Sequence, residues 1–175
     1  MFKKFALGLM VLGFVGTVSA ADVFTGTWKL NVAKSAFTAG MEVKANSVVI
    51  VEKGADLSIS AAGIDGTGKT TSVKYTIPMK GGAVSFTEGA PASGATVMTK
   101  RVDASTIHST STLNGKEVGT THTTVSPDGK TLTRVVKGMD ASGLPSRVGV
   151  NVRTRCQRFS FLRPSPARSC QISTS

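Results

Sequence analysis

The sequence is poor in the residues that carry out chemistry. Its 175 residues include only two histidines, two cysteines, one tryptophan and one tyrosine. Both cysteines, Cys156 and Cys170, lie near the C-terminus, so the body of the chain has no thiolate to offer. Two histidines without an accompanying Asp/Glu/Cys cluster fall short of the roughly three or four converging ligands that a zinc site needs. The ten acidic residues are scattered, and Asp56, Asp65, Asp103, Asp128 and Asp140 sit at expected turns. There a short polar side chain has a turn-forming job of its own. Serine and threonine abound, but no nucleophile-elbow pattern accompanies them. Together these absences argue against an enzyme, a bound metal and a cofactor.

Long hydrophobic runs are also missing. The longest, Phe5 to Val15, is shorter than the roughly 20 apolar residues that a membrane span requires. It is preceded by Met1-Phe2-Lys3-Lys4 and followed by Val18-Ser19-Ala20. A positive start, a short apolar core and small residues at the −3 and −1 positions make a secretory signal peptide over residues 1–20. Cleavage is expected after Ala20, with export to a bacterial periplasm or the medium. No later stretch could anchor the mature chain in a membrane as a helix.

The formal net charge of +11 would suit a nucleic-acid binder. Its distribution does not. Residues 22–150 carry 14 Lys+Arg against 10 Asp+Glu, and residues 151–175 carry five Arg and no acid. The body is only mildly basic and has no stripe of basic residues interleaved with aromatics, as a phosphate-tracking groove would need. Nucleic acid is not an expected partner.

What is present is β-sheet chemistry. Thr, Ser, Val and Gly dominate residues 22–150, with turn signals at short, regular intervals. Phe24, Gly26, Trp28, Leu30 and Val32 alternate along a first strand, and Val73, Tyr75 and Ile77 along a fourth. Val84 and Phe86 mark a short fifth, and the last strand is expected within Arg147–Val152. Asn114-Gly115 is a strong two-residue hairpin signal, and Ser126-Pro127-Asp128-Gly129 presets another turn. Turns this short join antiparallel neighbours. The expected fold is therefore all-β: an antiparallel up-and-down meander of about 8–10 strands, closing into a barrel to remove its edges.

One motif misleads. Gly63-Ile64-Asp65-Gly66-Thr67-Gly68-Lys69-Thr70 matches the Walker A pattern. A true P-loop opens a helix whose N-terminal amides hold phosphate. Here Thr71 to Ile77 is β-branched and alternating, so the segment is expected to be a hairpin turn, without ATP.

The run Phe24-Thr25-Gly26-Thr27-Trp28-Lys29-Leu30-Asn31, followed by Ala33-Lys34-Ser35-Ala36-Phe37, resembles the opening of exported lipocalin-like proteins of bacteria. The similarity continues through Lys100-Arg101-Val102-Asp103 and Ser126 to Thr133, covering residues 22–150 in order. The resemblance implies a lipocalin-like barrel in which Trp28 plugs the closed end and Gly26 permits close packing beside it. The Thr-Asp-Tyr motif of true lipocalins is absent.

A barrel of this size can hold one small ligand. Alternation nominates Tyr75, Phe86 and Met98 as lining residues for a small, largely apolar ligand, with Arg101 or His122 as a polar anchor. The alternative is a structural or interaction protein of the cell envelope, its barrel filled by side chains. The Asn114-Gly115 turn sets His122 opposite Ile107 and His108 opposite Thr121, so the two histidines are expected on opposite faces.

Residues 153–175 break the pattern, being rich in Arg and Pro and free of Lys. They are expected to lie outside a barrel domain of residues 21–152. The simultaneous change of composition, cysteine content and strand pattern favours a shifted reading frame after residue 150. The other reading is a genuine basic tail in which Cys156 and Cys170 close a loop of about 15 residues, stabilising by about 3 kcal/mol.

Overall fold

The computed structural model describes residues 21–139 and 145–156. The expected signal peptide and the tail beyond Cys156 lie outside the described residues. The described residues are all-β, with eleven strands in one antiparallel sheet. They are β1 (Gly26–Leu30), β2 (Val43–Lys53), β3 (Asp56–Asp65), β4 (Thr70–Pro78), β5 (Gly82–Ala83), β6 (Ser85–Glu88), β7 (Ala95–Asp103), β8 (Thr106–Leu113), β9 (Lys116–Val125), β10 (Thr131–Met139) and β11 (Pro145–Arg155). One short 3-10 turn, Val32–Lys34, interrupts the path from β1 to β2.

From β1 to β4 and from β7 to β11, consecutive strands pair antiparallel. β1 pairs with β11 as well as with β2, which brings the two ends of the meander together. The remaining seam falls at the expected fifth strand, which is split. Gly82–Ala83 pairs with β7, whereas Ser85–Glu88 pairs with β4. Val84 lies between them, and its amide donates to the Val97 carbonyl at 2.8 Å. A single kinked segment thus serves both edges, and the sheet is a nearly closed barrel.

The turns follow their residue chemistry. Asn114 and Gly115 both take positive φ, 50° and 81°, the geometry of a type I′ hairpin. The Walker-like segment forms the β3–β4 hairpin. Asp65 Oδ1 accepts from the amides of Thr67 at 2.9 Å and Lys69 at 3.0 Å, and from Thr67 Oγ1 at 2.6 Å. The amides that a P-loop would turn toward phosphate are therefore given to a carboxylate of the loop itself. The Thr67 hydroxyl, then the Lys69 amide, hold the Asp65 carboxyl below its usual range.

One end of the barrel is plugged. Trp28 is completely buried, and its Nε1 donates to the Phe24 carbonyl at 2.8 Å. Phe24, Leu57, Ile107, Val125 and Leu132 pack in the same apolar cluster. The Arg155 guanidinium lies 4.3 Å from the Trp28 ring. It also donates to the carbonyls of Gly129 at 2.6 Å, Thr25 at 2.7 Å and Val23 at 2.5 Å. Gly26 has φ +140°, and a Cβ there would stand 3.1 Å from Arg155 Nη1. Both the backbone angle and the guanidinium call for glycine at this position.

The expected end of the domain at residue 152 is corrected by this arrangement. β11 continues to Arg155, and Cys156 N still donates to the Thr27 carbonyl at 2.8 Å. Arg153 and Arg155 belong to the barrel because one faces its interior and the other covers the plug.

Among the described residues, no helix is long and apolar enough to cross a membrane.

Candidate functional site

The period of two along each strand selects what the interior contains. Cross-strand pairing then aligns inward residues into rows. Ile50 pairs with Ile59, Ile59 with Tyr75, and Tyr75 with Phe86. A second row runs through Val48, Ala61 and Val73. These rows make one wall of the barrel apolar. On the other half, Thr99 pairs with Ser109 and Ser109 with Thr121. Next to them, Ile107 pairs with Thr123 and Thr123 with Arg134. This half of the ring is hydroxylated and carries guanidinium groups.

Between the two walls lies a cavity of about 300 Å3. Its apolar side includes Val48, Ile59, Tyr75 and Phe86; its polar side includes Thr99, Ser109, Thr121, Thr123, Arg134 and Arg153. The Tyr75 and Phe86 rings are in contact, with centroids 5.4 Å apart. Above the plug, Leu57 and Ile107 form part of the floor.

The unusual group is Arg153, only 7% exposed. Its Nε and Nη2 both donate to Asn46 Oδ1, at 3.3 and 3.2 Å. Among the described residues the ion pairs are Lys74–Glu88 and Arg101–Asp22, so neither Arg153 nor Arg134 has a carboxylate partner there. Burial, and then the neighbouring Arg134 cation, push the Arg153 guanidinium down to about 10, with Tyr75 opposing the shift. It remains cationic at neutral pH. A buried, uncompensated charge of this kind is costly to folding.

The nominated residues divide. Tyr75 and Phe86 line the cavity. Met98 does not. Val97 and Thr99 take the inward positions of β7, which leaves Met98 on the outer face, 47% exposed. Arg101 does not line the cavity either. It sits at the plugged end, paired with Asp22 at 2.5 Å and 5.4 Å over the Phe24 ring. His122 faces outward because the register differs from the expected one. Thr112 pairs with Glu117, but Ser111 pairs with Gly119, so Val118 is an extra residue in β9. This bulge turns every later side chain of β9 to the other face. His108 and His122 consequently pair and stack on the outer face, ring centroids 4.3 Å apart, correcting their expected separation onto opposite faces. The bulge lies beside Gly119, which β10 approaches closely: a Cβ there would lie 2.7 Å from the Lys137 carbonyl oxygen.

Met98→Ala and His122→Ala are therefore expected to leave the cavity's affinity for any probe unchanged, as a titration of each variant beside wild type checks. Arg153, Arg134 and Asn46 were not foreseen as lining residues. The signal for Arg134 was present in the alternation Leu132-x-Arg134 of β10. Arg153 was obscured by its membership of an Arg-rich ending.

Among the described residues, no group of three or more His, Cys, Asp or Glu could hold a metal ion. No protein-family model matches the chain, and no curated protein shows significant similarity to it.

Proposed function

We propose that this is an exported binding protein, acting in the periplasm or the medium, whose barrel holds a small, largely apolar ligand. The reading is of a carrier or sequestering protein and not of an enzyme. The observation that carries it is the interior cavity of about 300 Å3 between Tyr75 and Phe86 on one wall and Thr121 and Arg153 on the other. Ligand pockets run from about 300 to 1,000 Å3, so the occupant is small. A purely structural barrel would be expected to fill this space with side chains, as barrels of this size can. The Gly26-x-Trp28 opening and its resemblance to lipocalin-like proteins support the same assignment.

The test is thermal unfolding of the purified protein against a panel of small apolar compounds. A ligand present at about 100 times its Kd stabilises by about 2.7 kcal/mol, which for a domain of this size raises Tm by roughly 5–10 °C. A rise of that order with at least one compound is expected. A panel without any stabilising member would contradict the proposal and favour the envelope-structural alternative.

A further inference from the structure

The cavity combines features that an entirely apolar ligand leaves unused. One wall is aliphatic and aromatic, and the other presents two guanidinium groups and a row of hydroxyls. Among the described residues, no Asp or Glu lines it. Arg153 is more than nine-tenths buried, and its guanidinium donates to a neutral amide oxygen, Asn46 Oδ1. An uncompensated guanidinium in such a place costs folding free energy, and an anion beside it relieves that cost. Structural needs do not account for it, since a neutral side chain of similar volume would fill the same space without the charge.

We propose that the ligand is a single-chain amphiphile with a carboxylate head, the head bound by Arg153 and Arg134 and the chain lying against Tyr75, Phe86 and Ile59. This rests on the carrier reading and specifies its ligand class. The guanidinium fork matches the two oxygens of a carboxylate. Hydroxyls from Ser109, Thr121 and Thr123 on the same wall can donate to the head as well. A carboxylate is also a small anionic head, in keeping with a cavity of about 300 Å3.

Decanoate, decanol and decylamine share a chain and differ in the head, so they separate the two levels of the reading. Calorimetric titration of the purified protein at neutral pH is expected to show decanoate binding at least about tenfold tighter than decanol, the worth of a charge-assisted hydrogen bond. Decylamine is expected not to bind. Arg153→Met should remove the preference for decanoate while leaving decanol affinity unchanged, with an unliganded Tm no lower than wild type. Arg134→Gln, at the less buried guanidinium, should reduce the preference in part, and serves if Arg153→Met does not fold. Equal binding of decanoate and decanol, or a preference that survives both substitutions, would overturn the carboxylate assignment and leave the carrier reading standing. Binding of none of the three would overturn both.

Discussion

Trp28→Ala is expected to remove about 3–5 kcal/mol of folding stability, the range for deleting a large buried aromatic. Trp28 is completely buried, donates through Nε1 to the Phe24 carbonyl and supports the Arg155 guanidinium on its ring. Truncation would leave a void in the plug, strip the Phe24 carbonyl of its donor and remove the surface that Arg155 covers. Domains are stable by only about 5–15 kcal/mol in total, so the loss is a large fraction of the whole. Urea denaturation of wild type and variant measures it directly. Trp28→Phe should recover part of the loss, because it keeps the apolar volume and forfeits the hydrogen bond. A loss below about 1 kcal/mol for the alanine variant would mean that the plug does not support the barrel.

Arg155→Ala is expected to cost about 2–3 kcal/mol. Three backbone carbonyls, those of Gly129, Thr25 and Val23, accept from this one guanidinium. Hydrogen bonds from a charged donor contribute about 1.5–3 kcal/mol each where they are buried and less where water competes. The stacking on Trp28 adds about 0.5–2 kcal/mol. Arg155 is only partly buried, so the total stays well below the sum. Arg155→Lys should recover less than half of it, since a point charge cannot reach three acceptors in three directions. The comparison also bears on the chain's ending. Residues produced by a shifted reading frame have no reason to fit the fold, whereas Arg155 meets the first strand, the β9–β10 turn and the tryptophan together. An alanine variant as stable as wild type would restore the view that the ending is foreign to the barrel.

The parts of the fold that could be read from the sequence are those encoded locally. Asn114-Gly115 and the Gly66–Lys69 turn each specify a hairpin through backbone angles that few other residues adopt. Val73, Tyr75 and Ile77 show their common face by simple alternation. The parts that could not be read depend on partners distant in the chain. Nothing local marks Val118 as an extra residue in β9. The bulge is associated with the close approach of Lys137 to Gly119, and that approach exists only once β9 and β10 are paired. One residue of slip then moved His122 outside and brought it onto His108. Met98 was nominated from alternation, yet Thr99 takes the inward place on β7 and donates to the Gly82 carbonyl at 3.2 Å. Arg153 is the clearest case. A charged residue in an irregular, basic stretch reads as solvent-exposed, and only the pairing of β11 with β1 and β10 turns it inward. The apolar wall was thus legible from pattern, and the charged wall required tertiary structure.

The central claim is that the interior is an accessible ligand cavity. Its most direct test is a fluorescence titration with 1-aminoanthracene, a small aromatic probe whose emission rises and shifts to the blue in an apolar site. Wild-type protein should enhance the probe to saturation, and decanoate should displace it. Ala61→Phe places a ring into the cavity from the apolar wall, where Ala61 is half-buried. It should abolish the enhancement while leaving the far-ultraviolet circular dichroism of the barrel intact. A wild-type protein that fails to enhance the probe, or an Ala61→Phe variant that enhances it equally well, would contradict the claim.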